Sequence, residues 1–153
     1  MTQITTFTEL PPEDRELLDE ARRATKLAYA PYSRFKVGAA LRTASGAIVI
    51  GANQENASYP LCMCGERVAL YNSAMLYPDD PIITVAIAVE SEHTEVEPAA
   101  PCGACLQVLS EYEMRQNKPI RLLLQGDSEK VMDIKEIREA LPLQFDGEFL
   151  RRP

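Results

Sequence analysis

From Pro11 and Pro12, which suit the start of a helix, small or apolar side chains recur at Leu17, Leu18, Ala21, Ala24, Thr25 and Ala28. That spacing predicts a helix over residues 13–28 with one buried face. Ala30-Pro31-Tyr32-Ser33 stops it. Residues 35–43 and 47–53 are then β-rich runs around Ala44-Ser45-Gly46, whose glycine accepts positive φ, and together they predict a hairpin. Helical character returns over 67–76 and 106–114, continuous apolar runs over 82–89 and 119–124 predict buried strands, and 134–141 predicts a last helix. This alternation predicts an α/β fold, a three-layer αβα sandwich whose mixed sheet is covered by helices on both faces. No internal repeat, linker or low-complexity tract interrupts it.

Composition narrows the picture. With 153 residues, 46% of them hydrophobic, residues 1–153 suit one domain with a substantial core. A net charge of −7 argues against a surface built to neutralise phosphate backbones, so no nucleic-acid partner is expected. Residues 1–10 lack the basic segment and apolar run of a signal peptide, and no stretch approaches the roughly 18 apolar residues of a membrane span. A cytoplasmic protein with no membrane partner is expected. Four cysteines are too few to staple a chain of this size with disulfides, and metal is the better use for three of them.

The chemistry concentrates in Cys64-Gly65-Glu66 and Pro101-Cys102-Gly103-Ala104-Cys105. Both clusters fall at predicted helix starts, where the partly positive helix end stabilises thiolates and prepares them for metal. Cysteines separated by two residues can aim both sulfurs at one ion, and a third thiol leaves tetrahedral zinc one open position, where bound water becomes acidic near neutral pH. Glu66, beside that position and not a ligand, is placed to move protons, the arrangement of the zinc deaminases. Taken alone, the Cys102/Cys105 pair reads equally well as a redox dithiol or as buried core cysteines. Cys62, two residues before Cys64, leaves a four-thiolate structural site open. His93, the sole histidine, lies among Glu90, Glu92, Glu95 and Glu97 and reads as a solvated surface residue.

Four blocks then resemble the small homotetrameric cytidine deaminases, in that family's order: residues 29–40 (YAPYSRFKVGAA), 53–59 (NQENASY), 64–67 (CGER) and 101–109 (PCGACLQVL). A fifth, Leu141-Pro142-Leu143-Gln144-Phe145, resembles its C-terminal segment. The resemblance implies a central mixed five-stranded sheet, and hydrolysis of cytidine and 2′-deoxycytidine to uridine and 2′-deoxyuridine with release of ammonia. It implies Cys64, Cys102 and Cys105 as ligands of one Zn²⁺ per subunit, and Glu66 as the proton shuttle between zinc-bound water, ring N3 and the departing amine. Asn53 and Glu55 correspond to residues that hold ribose hydroxyls, Phe35 to an aromatic packed on the pyrimidine, and Phe145 to one that enters a neighbouring subunit's site of a homotetramer. By spacing alone, Asn53 and Glu55 read as a polar turn and each phenylalanine as core.

Arg67 corresponds to an arginine that donates to the thiolates, and it has a physical rationale: three thiolates around Zn²⁺ leave a charge of about −1, which weakens the Lewis acid. In isolation it reads as a solvated helix arginine. Gly65 stands where the family usually has alanine, contributing a backbone N–H to the pyrimidine, and Pro60 and Cys62 alter the approach to Cys64. Two other readings remain: deamination of a related aminated heterocycle or nucleoside analogue at the same site, or a non-catalytic zinc-binding protein. Asn53 and Glu55 weigh against the first, because they suit a plain ribose. Glu66 weighs against the second, because a structural site needs no carboxylate beside an open position.

Overall fold

Helix α1 (Pro12–Thr25) begins with proline at its first position and acidic Glu13 and Asp14 in its first turn, and buries Leu17, Leu18, Ala21 and Ala24. The computed structural model describes residues 2–147 and residue 150. Strands β1 (Gln3–Thr6), β2 (Phe35–Thr43), β3 (Ile48–Ala52), β4 (Ile82–Ser91), β5 (Arg121–Gln125) and β6 (Lys130–Ile134) form one mixed sheet in the order β1-β6-β5-β4-β2-β3. Neighbours β4 and β5 are parallel and the other adjacent pairs antiparallel. The expected hairpin is β2–β3, and Gly46 takes φ +92° in its turn.

Two cores flank the sheet. On one face α1 packs Leu17, Leu18 and Ala21 against Ala40, Ala86, Ala88, Leu123 and Val131. On the other, α2 (Gly65–Leu76), α3 (Gly103–Gln116) and α4 (Ile137–Ala140) pack Ala69, Leu70, Leu106, Leu109 and Ile137 against Leu41, Val85, Ile87, Leu122 and Leu124. Burial on both faces explains why β4 reads as a continuous apolar run rather than an alternating one. The three-layer sandwich stands as expected.

The sheet has six strands, where five were expected. β1 is a short, mostly exposed edge strand of polar composition that pairs Ile4 with Met132, and its four residues carry no apolar alternation to announce it. β6 was also not anticipated from the pattern, and the helix expected over 134–141 is shorter, confined to Ile137–Ala140. The charge at Asp133 breaks the apolar pattern of β6. That carboxylate is buried but receives the Arg121 guanidinium through two hydrogen bonds of 2.8 and 2.9 Å, while Arg121 also bonds Asp14 of α1 at 2.6 Å.

The helices lie unusually close to the hairpin. A Cβ at Gly51 of β3 would sit 2.4 Å from the Ala69 N and 2.5 Å from the Gly65 O, both backbone atoms of α2. On the opposite face, a Cβ at Gly38 would sit 2.0 Å from the Ala21 O of α1. Gly51→Ala should therefore lower stability by about 1–3 kcal/mol and the melting temperature by several degrees. An unchanged melting curve would show that α2 can back away from β3 without cost.

Candidate metal centre and active site

Cys64 and Cys102 are the residues that cap the N-termini of α2 and α3, with extended backbone (ψ 150° and 163°), and Cys105 follows one turn into α3. The two helix starts converge, and the sulfurs of Cys64, Cys102 and Cys105 all lie within 4.8 Å of one another. Zinc–sulfur bonds of ~2.3 Å in a tetrahedral site place sulfurs roughly 3.8 Å apart. The Cys102–Cys105 separation is 3.6 Å, so the donor set fits a zinc ion. Cys62 is not part of this cluster. Its sulfur instead accepts a hydrogen bond from the Asn56 N at 3.2 Å, which leaves the four-thiolate alternative without a fourth sulfur among the described residues.

Electrostatics at the cluster favour ionisation of Cys64. The Cys105 thiol donates to the Cys64 sulfur, and this contact, with the Arg67 guanidinium, holds Cys64 down to about 6. The same pairing, together with burial, pushes the Cys105 thiol up. Arg67 Nη2 lies 3.6 Å from the Cys64 sulfur, and that thiolate contact raises the guanidinium's own pKa. The guanidinium of the half-buried Arg67 is directed at the thiol cluster.

A cavity of about 500 Å³ opens onto the centre, within the usual size of a small-molecule site. Cys64, Glu66 and Cys102 form part of its wall, and Phe35, Asn53 and Glu55 another part. Glu66 is 4% exposed, a carboxylate held inside the fold. The Asn53 amide donates to the Phe35 O at 2.9 Å and accepts from the Val37 N at 2.8 Å, pinning the start of β2; one amide N–H and one oxygen lone pair remain. Glu55 is held below the usual carboxylate range by the Ser33 hydroxyl and by the backbone N–H groups of Tyr32 and Ser33. Residues 53–55 are fixed by backbone bonds to Tyr29 on one side and Met63 on the other, the latter next to Cys64.

Not every candidate reaches the cavity. Cys105 and Arg67 stand behind the wall, and Gly65 lies beneath it: a Cβ there would come 2.7 Å from the Val37 O. Glycine thus provides room for α2 to approach β2, and alanine would force one of them to shift. Phe145 is 57% exposed and away from the cavity, its backbone tied to the Gln107 side chain by bonds of 2.7 and 3.2 Å. Sequence reasoning had not singled out Ser33, Gln54 or Met63 as parts of the wall. Ser33 and Gln54 lie within the family-like blocks, and Met63 lies just before one of them.

A family model described as the cytidine and deoxycytidylate deaminase zinc-binding region matches residues 11–118. The chain is 43% identical over 136 residues to a cytidine deaminase of Halalkalibacterium halodurans, covering 88% of this chain and 96% of that protein. A cytidine deaminase of Sporosarcina psychrophila is 38% identical over 136 residues, covering 88% of this chain and 93% of that protein. The crystal structure of a cytidine deaminase from Burkholderia pseudomallei superposes with a TM-score of 0.74 at 39% identity, covering 86% of this chain and 98% of that one. The chain belongs to the cytidine and deoxycytidylate deaminase family, whose members are hydrolytic enzymes.

Separating the thiols gives a direct test of the metal centre. Cys64→Ala should lose most of its bound zinc, whereas Cys62→Ala should retain it, as measured by elemental analysis of the purified proteins. Equal losses in both would bring Cys62 into the coordination sphere.

Proposed function

We propose that this enzyme hydrolyses cytidine and 2′-deoxycytidine to uridine and 2′-deoxyuridine, releasing ammonia, in pyrimidine salvage. The observation that carries the proposal is one cavity wall that brings together two thiols of a zinc-fitting cluster, a buried carboxylate and the polar side chains of Asn53 and Glu55. Cys64, Cys102 and Cys105 would hold one Zn²⁺ per chain, which as a Lewis acid makes water nucleophilic at neutral pH. Arg67, 3.6 Å from the Cys64 sulfur, would offset the negative charge of three thiolates.

Glu66 carries the protons. Its carboxylate takes one from the attacking water, delivers it to cytosine N3, and passes another to the amino group as ammonia leaves. Burial beside the cavity keeps bulk water from competing for those transfers. Phe35 packs on the pyrimidine. Asn53 offers its remaining amide N–H and Glu55 its carboxylate, so a sugar hydroxyl can accept from one and donate to the other. The backbone N–H of Gly65, between the wall residues Cys64 and Glu66, is the contact to the base that the family likeness implies, although Gly65 itself does not line the cavity.

A homotetramer is the proposed assembly. Tyr71, Met75, Leu76 and Tyr77 on and just beyond α2 remain exposed in the single chain, and Phe145 is exposed and does not line its own cavity, as suits a residue serving a neighbour's site. Free thiols at the centre suit the reducing cytoplasm as its setting. No helix of the described residues is long and apolar enough to cross a membrane.

Glu66→Gln should keep zinc and fold yet lose about a hundred- to ten-thousand-fold in turnover, followed by ultraviolet absorbance with cytidine, 2′-deoxycytidine and free cytosine. Wild type should convert both nucleosides and spare the free base; undiminished turnover in the variant would remove Glu66 from proton transfer. Phe145→Ala should raise KM in an assembly whose size, by sedimentation velocity, is unchanged. A monomer with wild-type kinetics would overturn the shared site.

A further inference from the structure

The loop between α1 and β2 closes over Glu55. Both carboxylate oxygens are engaged: the backbone N–H groups of Tyr32 and Ser33 donate to Oε2 at 2.9 and 3.3 Å, and the Ser33 hydroxyl donates to Oε1. A carboxylate offers about four lone-pair sites. Two are taken on Oε2 and one on Oε1, so the remaining acceptor position is on the oxygen that Ser33 holds. The Ser33 hydroxyl is itself oriented, because its oxygen accepts the Phe35 N–H at 3.1 Å and its one proton is left for Glu55. A directed chain therefore runs from the Phe35 N–H through the Ser33 hydroxyl to Glu55 Oε1. Ser33, Phe35 and Glu55 all line the cavity.

We infer that Ser33 is a positioning residue for sugar recognition: it fixes the direction of the one free acceptor site on Glu55 and so sets which nucleoside hydroxyl the enzyme reads. The inference rests on the proposed role of Glu55 at the sugar. The hydroxyl concerned is one that cytidine and 2′-deoxycytidine share, the 3′ or the 5′. Without the Ser33 hydroxyl, Glu55 keeps its two backbone donors on Oε2, but Oε1 regains both lone pairs and can turn either towards solvent. Discrimination between sugars then falls while the chemistry at the base, carried by Glu66 and the thiol cluster, is not addressed.

The test compares cytidine with 3′-deoxycytidine and 5′-deoxycytidine in wild type, Ser33→Ala, Ser33→Cys, Ser33→Thr and Glu55→Ala, with melting curves as the control for folding. Wild type should show a penalty in kcat/KM of about tenfold or more for the analogue lacking the read hydroxyl, as for a lost hydrogen bond to a charged group. Ser33→Ala and Ser33→Cys should shrink that penalty severalfold, mainly by raising KM for cytidine, and Ser33→Thr should restore it. An unchanged penalty in Ser33→Ala and Ser33→Cys, with the penalty abolished in Glu55→Ala, would overturn the inference and leave the role of Glu55 standing. No penalty for either analogue in wild type would overturn both.

Discussion

The site depends on how closely α2 lies against the hairpin. Gly51 leaves no space for a side chain between β3 and the backbone of α2, and Gly65 does the same between α2 and Val37 of β2. Backbone-to-backbone contact of this kind is less tolerant of displacement than side-chain packing, which can repack around a shift. It fixes the start of α2, and therefore Cys64 and Glu66, relative to the strand that leads to Asn53 and Glu55. A deaminase of this type needs the metal, the proton carrier and the sugar contacts in one frame, and this contact supplies the frame.

Topology supplies the rest. The C-terminal end of β3 runs into residues 53–55, the proposed sugar contacts, and β4, whose Ile87 and Val89 line the cavity, leads towards α3 with its two thiols. Ligand sites in open α/β sheets form outside the carboxyl ends of strands, and the convergence of two helix N-termini there gives thiolates a favourable field. Because the thiols come from separate helices, the centre also ties the layer together across the sheet.

Much of this was legible in the chain. Alternating blocks of periodicity marked α1, the hairpin, β4 and β5, and cysteine spacing with an adjacent glutamate marked the centre before any fold was known. What escaped did so for physical reasons. β6 carries Asp133 where an apolar residue would have revealed a strand, and its charge is matched by Arg121, an ion pair that only folding assembles. β1 is an edge strand with little to bury. Ser33 meets Glu55 across 22 positions of sequence, and no local pattern encodes such a contact. The proposed sugar roles of Asn53 and Glu55 come only through family likeness, whereas the bonds by which the Asn53 amide staples the start of β2 are made only by the fold.

The two backbone bonds between Gln54 and Met63, each 2.9 Å, join the proposed nucleoside-binding segment to the residue preceding Cys64, a proposed metal ligand. Ordering at either end is therefore shared across that bridge. By thermodynamic reciprocity, whatever affinity zinc adds for nucleoside, nucleoside adds for zinc. With zinc and nucleoside bound as proposed, a change that loosened this bridge would reach both ends of the site at once.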